Sequence, residues 1–230
     1  MCQVLIGALF FAISFKKLHH KNFSSLTFNT VLKIQNIILF GLLFMIIKVI
    51  VELIITYSFN SEFQFSAKIV NYPSAFLVGT IALIFSSTLE EVLFRGYFLN
   101  SLYEHSKKQL KSCVIVSVIF ALAHFVRLDF RGTPFLSFLD LFLWSFFISI
   151  IALKFRSMEV VIGIHIFHNL FEHFILGTEE WALFIRAYGG LYLTIVNTIS
   201  FLLYYFLLSY ILSTNSLMKE KQATTIAKNP

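Results

Sequence analysis

The sequence predicts an all-α, polytopic transmembrane helical bundle of about seven to eight helices, and three observations predict it. Of the 230 residues, 58% are hydrophobic, against about 45–50% in an average soluble domain. Only 13% are charged, about half the usual share, and the mean hydropathy is +0.82. The apolar residues also fall into seven segments separated by charge clusters or by Pro and Gly. With 29 Phe and so little polar surface, the chain cannot cover a water-soluble globule of this size. Lipid must be the solvent for much of it. The whole of 1–230 reads as a single integral membrane domain, and disorder, collagen and coiled coil are excluded.

A spanning helix needs about 20 mainly apolar residues, and the segments are weighed against that length. Segment 2–15 lacks the basic start and small-residue cleavage site of a secretory signal, so it reads as a short retained helix. Segment 31–58 spans; its Lys48 and Glu52, an i,i+4 pair, read as snorkelling or helix-to-helix charges. Segment 72–100 is long enough to contain a break or a steep tilt. Segment 112–126 is short for a full crossing, whereas 135–153, with Asp140 as another helix-to-helix candidate, and 158–176 are adequate. The last segment, 181–212, contains Gly189-Gly190 and divides readily into a short interfacial helix and one span. The tail, 213–230, is polar and expected to be loosely ordered.

Basic residues alternate between connections. Lys16, Lys17 and Lys21, then Lys107, Lys108 and Lys111, then Lys154 and Arg156, then the tail lysines mark one side. Lys68 alone, Arg127 and Arg131 with Asp129, and Glu179 and Glu180 with Arg186 mark the other. The positive-inside rule then gives a multi-pass protein of the cell membrane with a cytoplasmic carboxy-terminal tail. The net charge of +6 belongs to this topology: no basic run is interleaved with exposed aromatics, so nucleic acid is not an expected partner. Cys2 and Cys113 give neither a disulfide framework nor metal-ligand spacing.

Ionisable groups at mid-bilayer each cost about 2.5–3.5 kcal/mol on insertion scales, so their clustering marks function. The run Ser86-Ser87-Thr88-Leu89-Glu90-Glu91-Val92-Leu93-Phe94-Arg95 places three charges within six residues of an otherwise apolar helix. Glu91 and Arg95 stand at i and i+4 in the favourable order for an ion pair. Glu90 points about 100° away, free to face a polar cavity as a proton acceptor. His124 lies near the far end of the next helix, and His165 and Asn169 share one helix face. A carboxylate, an imidazole and a His/Asn pair are parts of a water-activating hydrolase. Glu90, helped by His124, would deprotonate water, while His165 and Asn169 would donate hydrogen bonds to the oxyanion. The same Glu90, His124 and His165 would also make an N/N/O ligand set with an open position, as catalytic zinc prefers. The H-E-x-x-H signature is absent.

The ordered trio Glu90-Glu91-x-x-x-Arg95, Phe120-x-x-x-His124 and His165-x-x-x-Asn169 resembles the CPBP family of intramembrane proteases, which includes the type II CAAX prenyl endopeptidases and the bacterial Abi proteins. The resemblance runs from about Pro73 to Glu172, within a catalytic core taken as 73–176. It implies Glu90 as general base, His124 as its partner on the water, His165 with Asn169 as oxyanion site, and Glu91 with Arg95 as structural support. It implies no required cofactor, with a divalent metal such as zinc as the alternative, and a membrane-embedded or membrane-associated peptide or protein as substrate. His168, Glu172 and His173 fall outside the pattern and read as packing or interfacial residues. The family usually has eight or so helices, so the missing length is expected at the amino end.

The Phe/Ile/Asn/Lys-rich composition points to a low-GC bacterium, and the family resemblance implies the roles to which such relatives are often linked, bacteriocin self-immunity or peptide maturation. Two rivals come from other classes. A non-catalytic membrane immunity or binding protein would keep the site as inherited architecture. A proton-coupled transporter would use Glu90 and His124 as a relay.

Overall fold

The computed structural model describes residues 32–59, 63–66, 72–125, 134–177, 182–186 and 191–228, and the expected segment 2–15 lies outside the described residues. Six helices occur among the described residues: α1 (Ile34–Ser58), α2 (Pro73–Ser106), α3 (Gln109–Phe125), α4 (Pro134–Phe155), α5 (Met158–Leu170, continued by a π-turn at Phe171–Ile175) and α6 (Leu191–Lys228). Four are long and apolar enough to cross a membrane: α1, α2, α4 and the Leu191–Ile211 part of α6. The distribution of side chains is inverted relative to a soluble protein. Lys48, Glu52, Glu91 and Arg95 are fully buried, whereas Ile34, Leu39, Ile54, Leu77, Ile81 and Phe206 are exposed. Charges inside and aliphatic residues outside are what a lipid solvent selects.

The long second span is continuous. It starts at Pro73, where a missing N–H costs nothing, and passes through a π-helical stretch at Val92–Leu99 to end at Ser106. The segment expected at 181–212 does divide before its span, but its first part is a strand rather than an interfacial helix. Strands β1 (Phe63–Phe65), β2 (Leu176–Gly177) and β3 (Phe184–Arg186) form a sheet of order β1-β3-β2, with β1 antiparallel and β2 parallel to β3. The fold is therefore helical with a small sheet, not purely α. Three residues supply too few helical hydrogen bonds to nucleate a helix, and pairing across connections satisfies their backbone instead. Helix α6 continues to Lys228.

Cross-contacts fix the arrangement. At one end of α5, Glu159 accepts from the Lys33 backbone N–H at 2.5 Å and from Asn36 Nδ2 at 2.8 Å. At the other end, Lys48 pairs with Glu172, so α1 and α5 run side by side in the same direction. Gly41 and Gly163 let them approach closely: a Cβ at Gly163 would strike the Ile37 carbonyl, and one at Gly41 the Phe167 ring. In α6, the Tyr192 hydroxyl meets Thr56 at 2.5 Å and the Tyr204 hydroxyl donates to the Phe40 carbonyl at 3.0 Å, which sets α6 antiparallel to α1. The core where α1, α4 and α6 meet is aromatic. Phe44 lies against Phe201 (4.9 Å) and Tyr204 (5.5 Å), and Trp144 packs on Phe201 (4.9 Å).

Candidate active site

Helix α2 carries adjacent carboxylates to opposite sides of its own wall, because successive residues are rotated by about 100°. Glu91 turns inward. Its Oε1 accepts from Arg95 Nη1 at 2.9 Å with both side chains fully buried, and also from His165 Nδ1 at 2.6 Å. The Arg95 guanidinium then reaches α4, donating to Ser145 Oγ at 3.0 Å and to the Ser145 carbonyl at 3.3 Å, and lies 4.9 Å from the Phe120 ring centroid. One buried carboxylate thereby ties α2 to α5, and its arginine ties α2 to α4. The π-helical stretch containing Arg95 begins directly after the two glutamates, and such stretches are frequent at functional sites.

Glu90 faces the other way, into a cavity of about 440 Å³ that is also lined by His124, His165 and Asn169. Its Oε2 lies 3.4 Å from His124 Nε2 and 3.9 Å from His165 Nε2. The tautomers follow from the opposite ring nitrogens. A carbonyl only accepts, so His124 Nδ1 donates to Phe120 O at 2.9 Å. Glu91 Oε1 already accepts from Arg95, so His165 Nδ1 donates to it. Each ring therefore donates through Nδ1 and turns its Nε2 toward the same Glu90 oxygen. Ring packing holds them there: His124 stacks on Phe120 at 4.2 Å, and Trp144 meets His165 edge-on at 5.4 Å. Asn169 Nδ2 donates to Ser87 Oγ at 2.9 Å, one helical turn before Glu91.

The four residues expected to carry chemistry thus line one cavity, and the two expected to support them stand behind it. Glu91 has a partner that sequence alone did not indicate, since His165 shares its carboxylate with Arg95. Ser87, Trp144 and Ser145 were also missed. Ser87 sits at i−4 from Glu91, which was a usable signal; a lone Ser145 in an apolar helix gave none. Lys48 reaches across to α5, where it donates to His168 Nδ1 at 2.9 Å and pairs with Glu172. Asn197 Nδ2 on α6 donates to Asp140 Oδ1 on α4 at 3.3 Å. Lys48 and Asp140 thus make the helix-to-helix contacts expected of them. His168 and Glu172 are members of this second polar cluster rather than isolated packing residues.

The donor set Glu90, His124 and His165 has the chemistry of a zinc site. Among the described residues no three His, Cys, Asp or Glu side chains are gathered as a metal-holding group.

The family described as Rce1-like, type II CAAX prenyl endopeptidase Rce1-like, matches residues 72–171, an interval that contains Glu90, Glu91, Arg95, His124, His165 and Asn169. No curated protein matches, and no solved structure does.

Proposed function

We propose that this chain, which through residues 72–171 belongs to the type II CAAX prenyl endopeptidase Rce1-like family, is a glutamate-dependent intramembrane endopeptidase. The observation that carries the reading is the single Glu90 oxygen faced by two imidazole Nε2 atoms, at 3.4 and 3.9 Å, in a membrane-embedded cavity. Both separations are long for direct hydrogen bonds, and the carboxylate oxygen and two ring nitrogens face a cavity that a water, the nucleophile a hydrolase needs, can enter.

In the proposed reaction the water oxygen attacks the scissile carbonyl carbon while Glu90 takes its proton. The carbonyl π pair becomes the oxyanion, which receives hydrogen bonds from Asn169 and from the Nε2–H of His165, which enters the step protonated. Glu91 balances the imidazolium through Nδ1, a role beyond its salt bridge. Collapse of the intermediate breaks the C–N bond, and the proton that Glu90 took from the water passes to the leaving amine. Oxyanion donors in known enzymes contribute about 3–4 kcal/mol each. The substrate class is a membrane-associated peptide or protein, in bacteriocin self-immunity or peptide maturation. The test is a comparison of small peptides and membrane proteins from cells carrying wild-type or Glu90→Gln protein: cleavage products should be present only with the wild type. A phenotype preserved in Glu90→Gln would instead favour the non-catalytic rival.

Two further outcomes follow from this reading. Cleavage by purified protein should be unchanged by chelation with EDTA, and its loss with restoration by one divalent ion would assign the site to a metal. With the tail cytoplasmic, as the alternating basic connections support, a reporter fused after Pro230 should be active only in the cytoplasm. An extracytoplasmic signal would reverse the topology.

A further inference from the structure

The cavity holds a second polar wall that the proposed hydrolysis does not use. Asp140 from α4 and Asn197 from α6 line it together with Glu90. Asn197 is 4% exposed, and its Nδ2 is committed to Asp140. Its Oδ1 is buried with no hydrogen-bond partner among the described residues. This wall therefore offers a carboxylate and an amide oxygen, both acceptors, while a buried acceptor left unsatisfied is costly.

Charge points the same way. Around the cavity stand four carboxylates, Glu90, Glu91, Asp140 and Glu172, against two permanent cations, Arg95 and Lys48. Arg95 is held by Glu91 and Lys48 by Glu172. No Lys or Arg among the described residues lines the cavity, although the chain as a whole carries +6. Glu90 has the two imidazoles. Asp140 has two neutral donors, the Asn197 amide and the Thr194 hydroxyl, with the opposed charges of Lys48 and Glu172 acting on it at longer range. An apolar substrate group seated here would leave that carboxylate buried without a direct cationic partner.

We infer that Asp140 and Asn197 form the subsite that receives a cationic side chain, Lys or Arg, of the peptide substrate. An ammonium or guanidinium would donate charge-assisted bonds to Asp140 and to Asn197 Oδ1. Its methylene stem would lie along the apolar remainder of the wall, such as Leu141. A cavity of about 440 Å³ accepts a few side chains of an unfolded peptide rather than a folded domain. This subsite rests on the hydrolase reading for its place in catalysis, but its binding preference can be measured without turnover.

The probe is a matched pair of capped peptides, acetyl-Leu-Phe-Lys-Phe-amide and its Lys→Gln counterpart. Both are titrated against the detergent-solubilised full chain carrying Glu90→Gln, so that no cleavage intervenes. The Lys peptide should bind about tenfold tighter than the Gln peptide, and Asp140→Asn in the same background should reduce the ratio to within about twofold. Asn197→Leu, which removes the second acceptor and leaves the carboxylate, should give an intermediate ratio. Equal binding of the two peptides, or a preference that survives both substitutions in protein of normal thermal stability, overturns the subsite. Should the subsite hold while wild-type and Glu90→Gln cells give identical cleavage profiles, the hydrolase reading fails and the Lys/Arg preference stands as that of a binding protein.

Discussion

Glu90→Gln should lower kcat/KM for proteolysis by about a thousandfold, within the range that a positioned general base contributes. It should barely change the amount of protein in the membrane. The amide is isosteric with the carboxylate, so it fills the same place on the cavity wall. It also keeps an oxygen toward the imidazoles, whose nearest approach of 3.4 Å is not a bond whose loss would unfold the helix packing. What disappears is the proton acceptor. Glu90→Asp is the informative companion: it retains the charge but withdraws it by about one methylene, and a displacement of that size costs about a hundredfold in well-oriented reactions. Rates measured on a substrate identified by the peptide comparison, with membrane abundance followed in parallel, check both variants. A Gln variant that retains wild-type rate removes Glu90 from the chemistry.

The second large effect is on stability. Arg95→Met should destabilise the protein by about 3–5 kcal/mol, the usual consequence of removing one member of a buried ion pair. Both Arg95 and Glu91 are fully buried, so the carboxylate, left with His165 alone, has no water to turn to. Met also cannot replace the two bonds to Ser145, which loosens α2 from α4. Arg95→Lys should recover only part of the loss, since a point ammonium cannot serve Glu91 and Ser145 with the fixed fork of a guanidinium. Denaturant titration of the detergent-solubilised variants, followed by helix content, gives the comparison. A loss below about 1 kcal/mol for Arg95→Met would show that the pair is not the clamp described here.

How much was legible beforehand depended on whether a feature was local. The ion pair at Glu91 and Arg95 could be read because i and i+4 are neighbours on any helix. The outward turn of Glu90 followed from the same periodicity. His124, His165 and Asn169 were found because polar groups in apolar helices are few enough to be enumerated. The Glu91–His165 bond, the Asn169–Ser87 bond and the reach of Lys48 to Glu172 link residues 74, 82 and 124 positions apart. No spacing rule predicts such links. The strands failed for a different reason. Phe63–Phe65 and Phe184–Arg186 are too short for an alternating pattern to register, and their pairing spans the intervening helices. The π-helical stretch at Val92–Leu99 was likewise invisible, because its residues satisfy an α-helical pattern equally well.

The central claim is that Glu90 activates a water for attack on a peptide bond. Membranes containing wild-type or Glu90→Gln protein, incubated in ¹⁸O-labelled water, test it most directly through the mass of newly formed peptide carboxyl termini. The wild-type sample should give ¹⁸O-bearing termini, and the variant none of the same termini. The same labelled termini in both samples, or new Glu90-dependent termini without the label, would contradict it.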